Sequence, residues 1–165
     1  MADYWKESPP ILREFLNYHE SILSHSAQTV DEYFLDLRGF FRYLKMTRNP
    51  DLADVPFQEI SILDVDLDFV SKTQLSEIYG FLTFLTGGGA FGKAESTTRA
   101  RKCASIRSFY NYLCVHARVM TADPTQALNN PKMRKSLPRY LSLTESLQLP
   151  EAVSGPNELR DYCIL

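Results

Sequence analysis

The sequence predicts an all-α fold: a four-helix bundle over residues 1–128, a linker over 129–141, and the truncated start of a second domain over 142–165. Two observations carry the bundle: apolar residues recur at steps of three and four in four separate stretches, and cap-forming residues stand before them. A third divides the chain. The run LNNPKMRKSLPRYL is basic and punctuated by proline, which is how a linker reads.

Ser8 before Pro9 reads as an N-cap with proline in the first turn, and Leu12, Phe15, Leu16, His19, Ile22 and Leu23 continue a helix to about Ser24. The second helix begins after Ser26, with Val30, Phe34, Leu37, Phe41 and Leu44 on its apolar side and Asp31 and Glu32 near its positive end. Residues 48–70 hold two prolines and six acids and read as an irregular connector with a short extended piece at best. Ser71 and Gln74 form a capping box for a third helix through Leu75, Ile78, Phe81, Leu82 and Leu85, which stops at three consecutive glycines. Ser96 caps a fourth, running to about Ala117, and Asp123–Pro124 starts a short helical turn. In the last segment Ser142 and Glu145 form a capping box, Pro150 breaks that helix, and another pattern opens near Pro156 with Leu159, Tyr162, Cys163 and Ile164. The sequence ends inside this rising pattern, the mark of a chain cut within its second domain.

Composition bounds the function. With 44% hydrophobic and 23% charged residues the chain is an ordinary globular one. It has no apolar run near the roughly 20 residues that cross a bilayer, and MADYWKESPP lacks the basic and apolar parts of a signal peptide. A cytoplasmic location and no membrane partner follow. Three cysteines without a C-x-x-C pair and three scattered histidines (His19, His25, His116) predict reduced thiols, no metal site and no cofactor.

The formal net charge of −2 conceals polarity: residues 93–139 hold ten Lys/Arg against two Asp/Glu, net +8, between acidic flanks. Such a block suits a polyanion, although a charge run is also an ordinary solvated face. Gly87, Gly92, Lys93 and Ala94 come within one residue of a phosphate-binding G-x-x-x-x-G-K-[ST] loop. Ala94 lacks the hydroxyl that holds Mg²⁺, and the glycines follow a helix rather than a strand, so nucleotide binding is refused. No Ser/His/Asp set, carboxylate dyad or metal spacing appears, and no catalytic residue is assigned.

On a wheel of 100° per residue, Cys103, Ile106, Phe109, Tyr110 and Leu113 make the buried stripe of the fourth helix. The opposite side, Ala100, Ala104, Ser108 and Asn111, is small and polar, with Arg101 on one edge and Arg107 on the other. Short side chains permit close approach in a major groove, edge arginines reach phosphates or guanine, and asparagine reads adenine. The same pattern also fits a close helix–helix contact whose arginines pair with acids elsewhere. Lys102 falls among the core angles.

SAQTVDEYFLDL (Ser26 to Leu37) followed by FFRYL resembles the S-x-x-T-x-x-x-Y-x-x-D-L helix in the SAM-like core-binding domain of tyrosine recombinases and phage integrases. ARKCASIRSFYNYL is similar to that family's A-R-x-L-S-A-[LV]-R-x-[FL]-[FY] helix, with Cys103 where leucine is usual. Asp123–Pro124 looks like its Asn-Pro or Asp-Pro turn, Pro131–Lys132 with LPRYLS like its interdomain linker, and NELRDY like the opening of its catalytic domain. The ordered succession spans about residues 10–165 and is nearest the Xer-type recombinases.

The resemblance implies a core-binding domain that grips duplex DNA from one side, while a catalytic domain beyond Leu165 cuts and rejoins strands through a 3′-phosphotyrosine. It implies action as a homo- or hetero-tetramer on DNA. Thr29, Arg99, Arg101, Arg107 and Asn111 become DNA-contact candidates, and Lys132 and Arg139 candidates for following the backbone from the linker. Thr29 reads equally as a helix-start residue bonding backbone, and Tyr33 as a half-buried packing residue. Two alternatives stand beside this reading: a helical protein-interaction module, and a short DNA-binding regulator without a catalytic half.

Overall fold

The computed structural model describes residues 4–52, 54–89, 92–131 and 140–164. The chain divides into two units, residues 1–133 and 134–165. The described residues are helical and turn-forming, with no strand among them. In the first unit the helices are α1 (Tyr4–Glu7), α2 (Pro10–Asn17), α3 (Ala27–Arg48), α4 (Leu67–Ser71), α5 (Leu75–Thr86) and α6 (Ser96–Asn111). α2 and α6 each run on into a wide π-type turn, Tyr18–Ile22 and Tyr112–His116.

The apolar stripes read from the sequence meet in one core. Phe15 of α2 stands edge-on to Phe109 of α6 at 5.4 Å, Phe41 of α3 meets Phe109 at the same spacing, and Phe40 packs on Phe81 of α5 at 5.3 Å. All five rings are fully buried. Edge-to-face pairs add to the burial term, and truncating one such ring to alanine costs about 3–5 kcal/mol. Cys103, Ile106, Phe109, Tyr110 and Leu113 are all buried, as the wheel requires.

The helix starts depart from the sequence reading. Pro9 occupies the N-cap of α2 and Pro10 its first position, so Ser8 is not the cap; it is buried, and its Oγ has no hydrogen-bond partner among the described residues. α5 is boxed by Gln74 and Glu77 rather than Ser71 and Gln74: Gln74 N–H donates to Glu77 Oε2 at 2.8 Å, while Ser71 closes α4 by donating to the Asp68 carbonyl. Glu95, not Ser96, is the N-cap of α6. Asp123–Pro124 opens a hydrogen-bonded turn instead of a helix, with Asp123 Oδ1 accepting from both the N–H and the hydroxyl of Thr125 at 2.7 Å. The connector is more ordered than its composition suggests. It contains α4, capped by Asp66 on Phe69 N–H, and buries Ile60, Ile62 and Val65.

A guanidinium ties this connector to α3. Arg48 reaches Glu77 in a two-point pair at 2.7 and 2.8 Å, donates to the Phe69 carbonyl and Thr73 hydroxyl, and lies 4.5 Å over the Phe69 ring. The hydrogen bonds from Arg48 hold the Glu77 carboxyl below its ordinary range. One bidentate cation thus closes α3, α4 and α5 together. Gly80 lets α5 approach here, since a Cβ would lie 2.5 Å from the Tyr43 hydroxyl.

The histidines, far apart in the sequence, converge where α2 and α6 end. His19 Nδ1 lies 3.1 Å from His25 Nδ1, His19 Nε2 lies 3.2 Å from Ser108 Oγ, and Tyr18 hydroxyl meets His116 Nδ1 at 3.2 Å. They hold no candidate metal cluster among the described residues. Burial, then the charges of His25 and His116, lower the pKa of His19 from 6.5 to about 4.

The second unit contains α7 (Leu143–Gln148), a 3₁₀ turn at Pro150–Ala152 and α8 (Glu158–Ile164). Ser142 and Glu145 cap α7 reciprocally, Ser142 N–H donating to Glu145 Oε2 at 2.8 Å. Leu143, Leu147, Leu159, Tyr162 and Ile164 are exposed.

Two outcomes are expected. Arg48→Ala should lower unfolding free energy by about 2–3 kcal/mol, measured by urea titration, because it strands a partly buried carboxylate as well as removing hydrogen bonds. His19 is neutral in the fold at pH values where the unfolded chain takes up a proton. Its contribution is therefore complete above pH 6.5 and is lost as pH falls towards 4. Urea midpoints at about pH 7 and pH 4.5 should show wild type losing about 1–2 kcal/mol more than His19→Gln.

Candidate nucleic-acid interface

α3 and α6 pack side by side, and one carboxylate sits at their contact. Asp36 of α3 has a fully buried side chain, 0% exposed. It accepts from three α6 residues: Arg101 Nη1 at 2.6 Å, Lys102 Nζ at 2.8 Å and Ser105 Oγ at 2.7 Å. A buried carboxylate demands such donors, and α6 presents them within five positions. Lys102 is 12% exposed, so its place among the core angles is real, and it pairs with the buried acid. Arg101 stays 45% exposed and also pairs with Glu32 at 2.7 Å.

The outer surface beside this contact is continuous. One hollow is lined by Ser26, Thr29, Glu32, Arg101, Ala104 and Ser105; the next by Ala104, Arg107, Ser108, Asn111, Asp123 and Gln126. Ala104 belongs to both. Thr29, Arg101, Arg107 and Asn111 therefore share one face, drawn from the start of α3, the middle of α6 and the turn after it. Thr29 N–H donates to Ser26 Oγ at 3.3 Å, and its own hydroxyl meets Ser26 Oγ at 3.0 Å, so Ser26 is the cap and the Thr29 side chain bonds that cap rather than backbone. Arg107 is steadied by the Leu128 carbonyl at 2.9 Å and Asn130 Oδ1 at 3.1 Å. Ser108 is tied to His19, and Tyr33 packs half-buried against Phe15 and His19.

Arg99 behaves differently. It sits in the first turn of α6 and donates back to the Ala94 carbonyl at 2.9 Å. Lys132 and Arg139 lie outside the described residues, as do Arg134 and Lys135, so four of the ten cations of the basic block have no place in this geometry. Sequence reading gave no place in the site to Ser105, Gln126 and Asn130, nor to Asp36 and Glu32, which it met only as the D of the S-x-x-T-x-x-x-Y-x-x-D-L motif and as an acid near a helix start. A lysine at a core angle was the available signal that an acid faces it.

Comparison with known proteins gives the family. The chain is 44% identical over 157 residues to a protein named Tyrosine recombinase XerC from Caldanaerobacter subterraneus subsp. tengcongensis, covering 95% of this chain and 44% of that protein. The chain belongs with the tyrosine recombinases. Tyrosine recombinase XerC of Myxococcus xanthus is 32% identical over 159 residues (94% of this chain, 45% of that protein), and Tyrosine recombinase XerD of Listeria monocytogenes 29% over 157 (94% and 46%). The chain thus spans a little under half the length of the curated relatives it matches. No family profile and no solved structure matches it. Among the described residues no helix is long and apolar enough to cross a membrane.

Removing the Asp36 carboxylate should unsettle this contact. Asp36→Ala is expected to cost about 3 kcal/mol in chemical denaturation, since it leaves Lys102 nearly buried beside a cavity. Glu32→Ala, at a half-exposed pair, should change stability by less than about 1 kcal/mol.

Proposed function

We propose that the chain is the core-binding region of a site-specific tyrosine recombinase, and that it grips duplex DNA through the face shared by α3 and α6. The observation that carries this is the continuity of Thr29, Arg101, Arg107 and Asn111 through Ala104. The small residues allow a groove to approach closely, the two arginines flank it at phosphate reach, and Asn111 supplies an amide suited to adenine. Residues 1–128 form the gripping domain, 129–141 the linker, with Lys132 and Arg139 following the backbone, and 142–165 the opening of the catalytic domain. The strand chemistry and the tetramer belong to the longer protein, acting where the DNA lies, in the cytoplasm.

A second reading has one observation in its favour: Arg101 and Arg107 are already engaged by protein acceptors. A helical interaction module would use the smooth face to dock a partner helix, and that binding would survive raised salt.

Fluorescence anisotropy with labelled duplex DNA over a salt series decides between them. Removing one cation from a phosphate lowers the slope of log K against log salt by about one, so Arg101→Ala with Arg107→Ala should lower it by about two and weaken binding roughly a hundredfold at low salt. Affinity indifferent to salt, or unmoved by the double substitution, would count decisively for the interaction module.

A further inference from the structure

We propose that Asp36 is a positioning residue that holds Arg101 ready for a DNA phosphate, and that Glu32 is the partner which the phosphate displaces. The proposal rests on the DNA-gripping reading above. Asp36 and Glu32 stand one turn apart on α3 and both reach the same nitrogen, Arg101 Nη1, at 2.6 and 2.7 Å. Their environments differ. Asp36 is wholly buried and hydrogen-bonded by Arg101, Lys102 and Ser105; Glu32 is 48% exposed, and its contact with Arg101 is a charge pair alone. A buried carboxylate has no water to replace its donors, so it does not let go. An exposed one exchanges its cation for solvent at little cost.

Asp36 faces two cations, Arg101 and Lys102, and Glu32 adds a second, exposed acid beside Arg101. The two contacts at 2.6 and 2.7 Å fall on Nη1, and Nε and Nη2 make no hydrogen bond among the described residues. A guanidinium carries five donors, so a phosphate has donors to meet while Asp36 keeps its own. The arginine is ordered before DNA arrives, and less side-chain freedom is lost on binding. Glu32 in turn keeps the cation covered in free protein and weakens contact with passing polyanions.

The test is a double-mutant cycle on the 165-residue chain, with a fluorescein-labelled mixed-sequence duplex of about 30 base pairs and a salt series. Arg101→Ala should weaken binding roughly tenfold and lower the salt slope by about one. Asp36→Asn should weaken it about three- to tenfold when Arg101 is present and have no further effect in the Arg101→Ala background, because it acts through that arginine. Glu32→Gln should tighten binding about two- to fivefold. Circular dichroism checks that each variant folds. If Asp36→Asn does not, Asp36→Asn with Lys102→Met removes the buried charges as a pair and still leaves Arg101 without its anchor. An Asp36 effect of equal size with and without Arg101, or a Glu32→Gln affinity equal to wild type, overturns the proposal while salt-dependent binding keeps the DNA reading. Binding that ignores salt in every variant removes both.

Discussion

The pairing of α3 with α6 depends on the Asp36 carboxylate, which has no access to water and draws its three donors from Arg101, Lys102 and Ser105. Unpaired, such a charge costs several kcal/mol, so any other register between the two helices is penalised. Shifting α6 by one residue would put Ala100 and Ala104, or Cys103 and Ile106, at two of the three donor positions. The apolar layer beneath, where Phe41 meets Phe109, supplies the larger stabilisation but tolerates small slides; the polar contact does not. Because Lys102 and Ser105 turn inward to reach Asp36, Ala104 and Ser108 fall on the open side of α6, and the smooth face is a by-product of the buried charge.

Arg48 performs a similar task at the last residue of α3, closing on Glu77, Phe69 and Thr73. A helix of 22 residues is about 33 Å long, so it serves as a spine with one polar lock near its middle and another at its end. Between the locks α3 buries Leu37, Gly39, Phe40, Phe41 and Leu44, with no polar side chain among them. A face assembled from α3, α6 and the turn after Asp123 is therefore stiff, as the proposed grip on a regular duplex requires.

The four longer helices were legible because each repeats its apolar pattern over several turns. α4 was not, for five residues are too few to show a period and its cap is one acid among many in the connector. The starts of α2, α5 and α6 lie one to three residues from the expected caps; Pro9 and Glu95 sit at the N-cap without a side-chain hydrogen bond, so no capping side chain marks those two in the sequence. Of the residues singled out for DNA, spacing on α6 placed Arg101, Arg107 and Asn111 together, but it gave no sign that Arg99 turns back to Ala94. Asp36 and Ser105 are 69 positions apart, and the three histidines are spread even more widely. Contacts of that range leave no local periodicity to read. The lysine at a core angle, and the aspartate in the family's second-helix motif, were the hints that charges meet there.

The wide turns that end α2 and α6 are near copies. Each is followed by a non-glycine residue with φ of 54°, Ser24 and Arg118, and Tyr18 and Tyr112, their first residues, pack at 5.1 Å. A π-type turn holds one residue more than an α-turn, so every side chain beyond it is carried about 100° round the axis. Each turn is in effect a single-residue insertion absorbed within a helix. Matching this end of the bundle to a relative whose helices run straight requires a gap inside the helix, before the loop begins.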